Sequence, residues 1–357
     1  MNQLKNQRKQ QGVALIIVLL IVAIVSVLAT EMGSRLQLQI KRASNIKENN
    51  QAYWYAMGAE QYAQKSIKLL MEEDGEVIHL EQPWNQEFVY PIEGGGIQAQ
   101  LVDMQSCFNL NGLKITEPPS NNLNTDLPAL DENDSATDVN NAKIASANDG
   151  SQIPGRVAAF ERLLQNLEPG IPSYNIDILR DSLIDWLDED NSPQQLGAED
   201  NEYESRDFPY VAANNFMVHK SELRLVNGVE ISWLRELLKL VCVLPNDSLF
   251  LINVNTVSEK NAAVIAALTG LSVSAAKSVL SNRGTEGFKT VADFLSTKEI
   301  QGLSLSNEQK TWFDVKTSYF ILHTKTKYNN ATFAMQTLFK VDSSKKVSVI
   351  RRDFSGF

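Results

Sequence analysis

The strongest pattern in the sequence is an apolar run near the N-terminus that passes into a long stretch of helix-forming residues. Residues 13–30 are apolar apart from Ser26 and Thr30, and a helix needs about 17 or more apolar residues to span a bilayer. No proline follows before Pro83, and helix formers continue through Leu70. The pattern predicts one continuous helix from residue 13 to about Leu70, with residues 13–30 as its transmembrane half.

Basic residues on the two sides of this run bear on its orientation. Lys5, Arg8 and Lys9 precede it within residues 1–12, and basic flanks favour the cytoplasmic side of a membrane. We therefore expect a cytoplasmic N-terminus and a single pass, with the bulk of the chain on the other side. Four basic residues on the far side of the run weaken this prediction of the orientation: Arg35, Lys41, Arg42 and Lys47. The alternative is a signal peptide cleaved among the small residues around Ala29.

Past the membrane the predicted helix becomes amphipathic, because apolar or small residues recur every three or four positions. The stripe consists of Ala52, Tyr55, Ala59, Tyr62, Ser66 or Ile67, and Leu70. We expect it to pack on a sheet.

The strands of that sheet are predicted at both ends of the remaining chain. Residues 87–92 and 96–103 form a hairpin around a Gly-rich turn, and three aromatic and β-branched segments follow near the C-terminus. These C-terminal strands are expected at residues 317–328, 331–341 and 347–351. The fold class is therefore α+β, with a long helix on an antiparallel sheet built from residues 31–104 and 315–357.

Residues 105–314 separate the two halves of the sheet and are expected to form an inserted domain. Helical periodicity makes this domain mainly helical, with helices predicted at residues 157–167, 176–187, 229–240 and 259–268. Residues 116–154 contain no aromatic side chain and are rich in Asn, Asp, Ser and Pro. Such a composition is typical of a disordered loop.

Composition argues for a structural or binding role. The chain has 357 residues, a net charge of -10, three His and two Cys, and it lacks the zinc-site, P-loop and serine-nucleophile motifs CxxC, HExxH, GxxxxGK[ST] and GxSxG. Catalysis is therefore not expected. Because the charge is negative, nucleic-acid binding would need a local basic patch.

One segment concentrates negative charge. Ten carboxylates lie between Asp181 and Asp207, with only Arg206 as a base. The spacing of Asp188, Asp190 and Ser192 with a later glutamate resembles a calcium loop. Pro193 stands where an EF-hand needs Gly, so the segment is not an EF-hand proper.

The candidate calcium ligands are Asp188, Asp190, Glu199 and Asp200, with the side-chain amide of Gln195 as a further donor, for one or two Ca²⁺. The alternatives are a solvated acidic loop and, as a weaker hypothesis, a hydrolase that uses paired carboxylates. Cys107 and Cys242 are the only cysteines, and in an oxidising compartment beyond the membrane they are expected to form one disulfide. Two buried free thiols are the alternative.

Residues 268–276, LTGLSVSAA, together with the preceding INVNT string (252–256), resemble a helix-hairpin-helix. That motif often binds DNA phosphates through hairpin amides and flanking basic residues. Lys277, Arg283 and Lys289 supply only a thin basic patch. A hairpin used for packing is preferred to a membrane-tethered DNA receptor, and no nucleic acid is expected as a partner.

The N-terminus resembles that of type IV prepilins. Gln11-Gly12 followed by the apolar run from Val13 looks like the site at which a prepilin peptidase cuts after Gly12, leaving residues 1–12 as a cytoplasmic leader and Val13 with a methylated amine. The pilin pattern has Glu at the fifth residue after the cut, where this chain has Ile17. The resemblance implies that a subunit without this carboxylate sits at the tip of a fibre.

Further strings extend the resemblance to one family. Together with Ile17, the CFNLN string at 107–111, the acidic loop, the INVNT string and the C-terminal strands resemble general secretion pathway protein K, the large minor pseudopilin of type II secretion. The resemblance implies a pseudopilin fold with a calcium-binding insertion, the Gram-negative inner membrane as location, a periplasmic bulk, and a tip complex with the I and J minor pseudopilins on the major pseudopilin. A minor pilin of type IV pili is the remaining alternative.

Overall fold

A computed structural model describes residues 11–114 and 155–354. Most of the predicted leader, residues 1–12, and the whole loop predicted at 116–154 lie outside the described residues. The predicted fold class is confirmed, because a long N-terminal helix packs on an antiparallel sheet and a mainly helical region lies between the two halves of that sheet.

The first element, α1 (Gln11–Glu73), is one helix of 63 residues, as the proline-free sequence predicts. Side chains 13–47 are all exposed, and α1 is the one helix in the described part of the chain that is long and apolar enough by itself to cross a membrane. Residues 13–30 of α1 are apolar on every side and need an apolar surrounding, so this part of α1 is compatible with a single membrane pass.

The main sheet has five antiparallel strands. In chain order, the nine strands of the described residues are β1 (Phe88–Ile92), β2 (Gly95–Asp103), β3 (Phe108–Asn109), β4 (Val241–Cys242), β5 (Ile252–Asn253), β6 (Phe313–Asp314), β7 (Tyr319–Tyr328), β8 (Ala331–Val341) and β9 (Val347–Asp353). The sheet order is β1-β2-β7-β8-β9. Strand β2 therefore pairs with β7 across the whole inserted region, from Gly95 opposite Tyr328 to Asp103 opposite Phe320.

Short helices make up most of the region between β2 and β7. They are α2 (Gly155–Gln165), α3 (Ser173–Leu187), α4 (Asp200–Glu204), α5 (Ile231–Leu240), α6 (Ala262–Thr269), α7 (Val273–Ser281), α8 (Val291–Leu295), α9 (Lys298–Gln301) and α10 (Asn307–Lys310). The four helices predicted here correspond to α2, α3, α5 and α6. Two parallel pairings of two residues each, β3 with β4 and β5 with β6, were not predicted, because such short strands carry no alternation.

The stripe of α1 that faces the sheet differs in part from the predicted one. Ala52, Ala59 and Leu70 are buried as expected, but Tyr62 is 57% exposed, and the small Ala56 and Ala63 are buried in the same phase. Alanines let the helix approach the sheet closely, whereas a tyrosine at this distance does not fit beneath it. The stripe is therefore built on alanines up to Ala63 and continues with Ile67 and Leu70, with the aromatic rings at its margins.

A buried ion pair fixes α1 on the sheet. Glu60 is fully buried in the stripe, and Arg352 of β9 donates to it twice, from Nε at 2.7 Å and from Nη2 at 2.8 Å. The hydroxyl of Thr337 on β8 donates to the same carboxylate at 3.0 Å. Bidentate, charge-assisted bonds of this kind are strong and directional, so they set the rotation of the helix over the strands.

A second buried carboxylate joins the sheet to the inserted region. Asp103, the last residue of β2, accepts hydrogen bonds from the hydroxyls of Thr256 and Thr317 and from the amide side chain of Asn253. Thr317 lies just before β7, so the points where the chain leaves and re-enters the sheet share one acceptor. Burial raises the pKa of Asp103 to about 6, against the lowering effect of these donors.

The core of the inserted region starts from the segment after β2. A disulfide joins Cys107 to Cys242, with a Cα–Cα distance of 5.7 Å. Close by, the side chain of Asn111 donates to the carbonyls of Met217 and Leu244 at 2.9 and 2.8 Å and accepts from the amide of Met217 at 2.8 Å. These bonds satisfy backbone groups that burial would otherwise leave unpaired.

We predict that Glu60→Gln lowers the free energy of unfolding by about 2 kcal/mol, because hydrogen bonds to a charged group are worth about 1.5–3 kcal/mol. Urea denaturation of the detergent-solubilised chain measures it. The matched control is Glu72→Gln on the same helix, an exposed residue 3.8 Å from Lys68, for which a change within about 0.5 kcal/mol is expected. Equal effects of the two substitutions would contradict the role given to Glu60.

Candidate metal centre

The acidic segment follows directly on α3. This helix ends at Leu187, Asp188 is its C-terminal capping residue, and the chain then loops until α4 begins at Asp200. The C-terminal end of a helix carries a partial negative charge. Carboxylates gathered there repel the helix end as well as one another, so the position favours a bound cation.

Two of the ten carboxylates accept hydrogen bonds from the loop backbone and thereby hold the loop in place. Asp185 accepts from the backbone amide of Gln194 at 3.0 Å, and Asp181 accepts from that of Leu196 at 3.0 Å. Gly197 passes so close that a Cβ there would lie 1.8 Å from Oδ2 of Asp185. The loop is therefore held against α3 by its backbone, and only glycine fits at this point.

Three predicted ligands converge. Asp188, Asp190 and Glu199 offer carboxylate oxygens that all lie within 4.8 Å of one another. Glu199 is only 5% exposed, and neither of its oxygens has a hydrogen-bond partner in the described part of the chain; Oδ1 of Asp188 lacks one too. A buried carboxylate without a donor is costly unless a cation compensates it.

The pKa values of these groups reflect the crowding. Burial, together with the neighbouring aspartates, raises the pKa of Glu199 to about 7. Burial and Asp190 raise the pKa of Asp188 to about 6, although the nearby Lys114 opposes this. Glu199 and Asp188 therefore take up protons near neutral pH when no cation neutralises them.

The other two predicted ligands lie outside this trio. Oδ1 of Asp200 accepts from the backbone amide of Ala212 at 2.9 Å, which ties α4 to the segment after it. Gln195 is exposed in the loop. Spacing alone did not separate these residues from the converging ones, because it does not show which carboxylates the backbone uses.

Sequence reasoning missed Asn214. Its amide nitrogen donates to Oδ1 of Asn191 at 2.9 Å, while its own Oδ1 is buried without a partner among the described residues. The residue has a positive φ of 43°, which is uncommon outside Gly and tolerated best by Asn and Asp. Asn214 thus brings a fourth unpaired buried oxygen to the acidic loop. Spacing within the acidic loop could not reveal Asn214, because this residue comes from a separate segment of the chain.

A lysine lies beside the loop. Nζ of Lys114 is 3.0 Å from Oε1 of Glu189 and 4.8 Å from the ring centre of Phe216. Glu189 itself is 80% exposed, whereas Lys114 is 6% exposed. This cation partly offsets the acidic cluster but leaves the buried Glu199 without a hydrogen bond.

The hairpin between α6 and α7 does not present a basic surface. The two helices meet at 117° through Gly270, whose φ is +82°, and Ser272 caps α7 by accepting from Ala275. Nη1 of Arg283 donates to the carbonyl of Val257 at 2.6 Å, and Lys289 pairs with Glu286 at 2.6 Å. Arg283 is thus used internally and Lys289 is neutralised by an exposed ion pair, which favours packing over DNA binding.

The remaining predicted positions lie at the start of α1. The helix runs without a break through Gly12 and Val13, and Ile17 is 51% exposed on its apolar surface. The structure thus places Ile17 where its side chain faces outward from the subunit.

Comparison with known proteins gives one consistent result. Two family models, both described as type II secretion system (T2SS), protein K, match residues 106–246 and 252–316. The protein K of Aeromonas hydrophila is 33% identical over 349 residues, 97% of each chain, and that of Dickeya chrysanthemi is 30% identical over 98% of each chain.

A solved structure agrees with these relatives. A chain of the GspK-GspI-GspJ complex from the type 2 secretion system of enterotoxigenic Escherichia coli superposes with a TM-score of 0.72 at 27% identity, covering 88% of this chain and all of that one. From the matched models, the relatives and the shared fold together, the chain belongs to the type II secretion system protein K family.

Proposed function

We propose that this minor pseudopilin forms the tip of a periplasmic pseudopilus together with the I and J minor pseudopilins of its own system. The observation that carries the proposal is the 63-residue α1, whose first half is exposed and apolar while its second half is fixed to the sheet. The matching structure is a complex of three such proteins. A helix built in this way anchors a subunit in a membrane and also offers a surface to neighbouring helices.

The N-terminus is proposed to be processed before assembly. A prepilin peptidase would cut after Gly12 and leave Val13 as the methylated first residue, and the mature chain would cross the inner membrane once, with its bulk in the periplasm. The basic residues before the run support this orientation.

Two features support the position at the tip. Ile17 cannot provide the carboxylate that would pair with the amine of a neighbouring subunit, and a charge in hydrocarbon is costly unless it is paired. The inserted region adds bulk to the end of the sheet where β2 and β7 meet. The major pseudopilin would then lie beneath this subunit, with nothing above it.

We assign a structural role and no catalytic step to the chain. Asp188, Asp190 and Glu199 converge on one another, and in the described residues both oxygens of Glu199 are buried without a hydrogen-bond partner. Paired carboxylates that face only each other are better explained as ligands for a hard cation.

The inserted region is proposed to bind calcium, as one or two ions. Asp188, Asp190 and Glu199 would hold it, and the amide oxygen of Asn214 is an additional donor from a separate segment. All four residues offer hard oxygen, the ligand that Ca²⁺ prefers. A bound ion would supply the positive charge that the buried Glu199 lacks, and it would thereby stabilise the junction between α3 and α4.

Processing can be measured directly by the intact mass of the chain extracted from membranes. We expect a mature form that begins at Val13 in cells with prepilin peptidase and the full-length form in cells without it. A peptidase-independent cut near Ala29 would instead establish a signal peptide and contradict membrane assembly.

The tip position predicts a consequence for Ile17→Glu. A carboxylate at this site should allow the subunit to enter the body of the filament, so pseudopilus length and the amount of secreted protein should both change. Electron microscopy and assay of the culture medium measure them. The matched control is Ile21→Glu, one helical turn further on, which adds the same charge at a different depth. An unchanged length and unchanged secretion with Ile17→Glu would contradict the tip position.

Calcium binding predicts a loss with Glu199→Gln. We expect titration calorimetry of the solubilised full chain to show binding, and the substitution to weaken it about tenfold or more, since a charged ligand becomes neutral. The control is Glu204→Gln, an exposed carboxylate in α4. Absence of heat from the unaltered chain, together with no gain in Tm, would contradict the proposal.

The same site predicts the pH dependence. In calcium-free protein the pKa of Glu199 is raised to about 7, so its contribution to stability is present at acid pH and is lost as the pH rises through about 7. Bound calcium compensates the charge of the ionised Glu199 and so removes this loss of stability. The gain in Tm from calcium should therefore be larger at about pH 7.5 than at about pH 5.5, and Glu199→Gln should reduce that difference.

A further inference from the structure

An open groove of about 430 Å³ lies between α1 and the β1–β2 edge of the sheet. It exists because the residues that face each other across it are small on the side of the helix, at Ala59, Ala63 and Ser66, and large on the other side, at Trp84 and Leu101. Protein interiors are usually filled to crystal-like density. The volume falls within the range of about 300–1,000 Å³ that is usual for binding sites.

The wall opposite the helix is held in place before anything binds. Nε1 of Trp84 donates to Oε1 of Gln82 at 3.0 Å, and the same oxygen accepts from the backbone amide of His79 at 3.0 Å. The ring of Trp84 also contacts that of Phe320 edge-on, with centres 5.5 Å apart. A fixed aromatic wall does not collapse into the empty space, so the groove is preformed.

The rim of the groove is acidic. Glu73, Asp74 and Glu87 line it and are exposed, and the lining contains no Lys, Arg or His. None of these three carboxylates forms an ion pair with a basic residue of ranges 11–114 and 155–354. Glu87 accepts a hydrogen bond from the side-chain amide of Gln98, and Glu73 and Asp74 also line a neighbouring cavity together with His79 and Lys289. The rim is therefore an acidic edge without ion pairs around an apolar floor, complementary to an apolar group that carries a positive charge beside it.

A stack of aromatic rings continues from the mouth of the groove. Tyr62 stacks on Phe88 with ring centres 5.0 Å apart, and Phe88 stacks on Tyr90 at 6.1 Å. Tyr62 and Tyr90 are 57% and 54% exposed. Exposed aromatic side chains next to a pocket are typical of protein interfaces, in which tyrosine is enriched among the residues that dominate binding.

We propose that this acidic aromatic groove is a docking site for another protein subunit of the filament. That subunit inserts an apolar side chain between α1 and Trp84 and places an adjacent lysine or arginine against Glu73 and Glu87. The proposal rests on the pseudopilin function proposed above, because it takes the occupant from the same assembly.

The chain itself offers a poor alternative occupant. Residues 115–154 carry seven carboxylates and one lysine, so the acidic rim repels them. A lipid is also a poor match, since the groove lies beside residues 59–74 of α1, well beyond the apolar run at 13–30. A basic segment of a neighbouring subunit meets both the charge and the position.

The test uses the full chain, produced with the I, J and major pseudopilins of its own system. A photoreactive phenylalanine analogue replaces Leu69, a groove residue that is 45% exposed, and the cross-linked peptide is identified by mass spectrometry. We expect a peptide from one of these subunits with a lysine or arginine next to an apolar residue. A cross-link only to residues 115–154, only to lipid or only to an acidic peptide would overturn the proposal.

Variants of the rim and of the ring stack make the test quantitative. Glu73→Lys with Glu87→Lys should lower the cross-link yield about tenfold or more, because like charges across an interface are strongly unfavourable. The control with the same change in charge, Glu259→Lys with Glu308→Lys, alters exposed residues of the inserted region and should leave the yield unchanged. Tyr62→Ala should also lower it, in contrast to Tyr174→Ala, which removes a tyrosine that is 63% exposed elsewhere.

The outcomes separate the two proposals. If the variants carrying Lys at 73 and 87 keep the full yield, or if no cross-link forms while the I and J subunits still copurify with the chain, the docking site is wrong and the pseudopilin function stands. If the unaltered chain copurifies with none of these subunits, the proposed tip function is wrong, and the docking proposal falls with it.

Discussion

The pairing of β2 with β7 is the constraint on which the rest of the structure depends. It joins strands separated by the whole inserted region, so everything between them must leave and re-enter the sheet at one place. Asp103 lies at that place and accepts hydrogen bonds from the backbone amide of Gln105 on the departing chain and from the hydroxyl of Thr317 on the returning chain. The parallel pairs β3–β4 and β5–β6, together with the disulfide, add to this closure, because each joins parts of the chain that are distant in sequence.

Regular elements were predictable from the sequence where a long periodic pattern specifies them. The proline-free N-terminal segment predicted α1, and the hairpin pattern together with the aromatic and β-branched segments predicted the five main strands, since a helix or strand of that length repeats its signal many times. The phase of the α1 stripe was only partly right: hydrophobicity alone favours Tyr62, but close packing on the sheet selects Ala56 and Ala63. The size of a side chain matters there as much as its polarity.

The metal centre was less predictable than the regular elements, because spacing along the sequence does not show which side chains the fold uses for other bonds. Spacing located the acidic loop and pointed to Asp188, Asp190 and Glu199, which do converge. Spacing could not show that Asp185 and Asp181 accept hydrogen bonds from backbone amides of the loop, or that Asp200 accepts one from Ala212. Asn214 was out of reach altogether, because tertiary folding brings it to the loop from a different segment.

The unbroken course of α1 has a mechanical consequence. At about 1.5 Å per residue its 63 residues form a rod of roughly 95 Å, and it contains no proline or kink to absorb torsion. The ion pair between Glu60 and Arg352 fixes the C-terminal half of this helix to the sheet. Because the helix is continuous, a rotation of its exposed apolar end would be passed on to the sheet without a hinge between them.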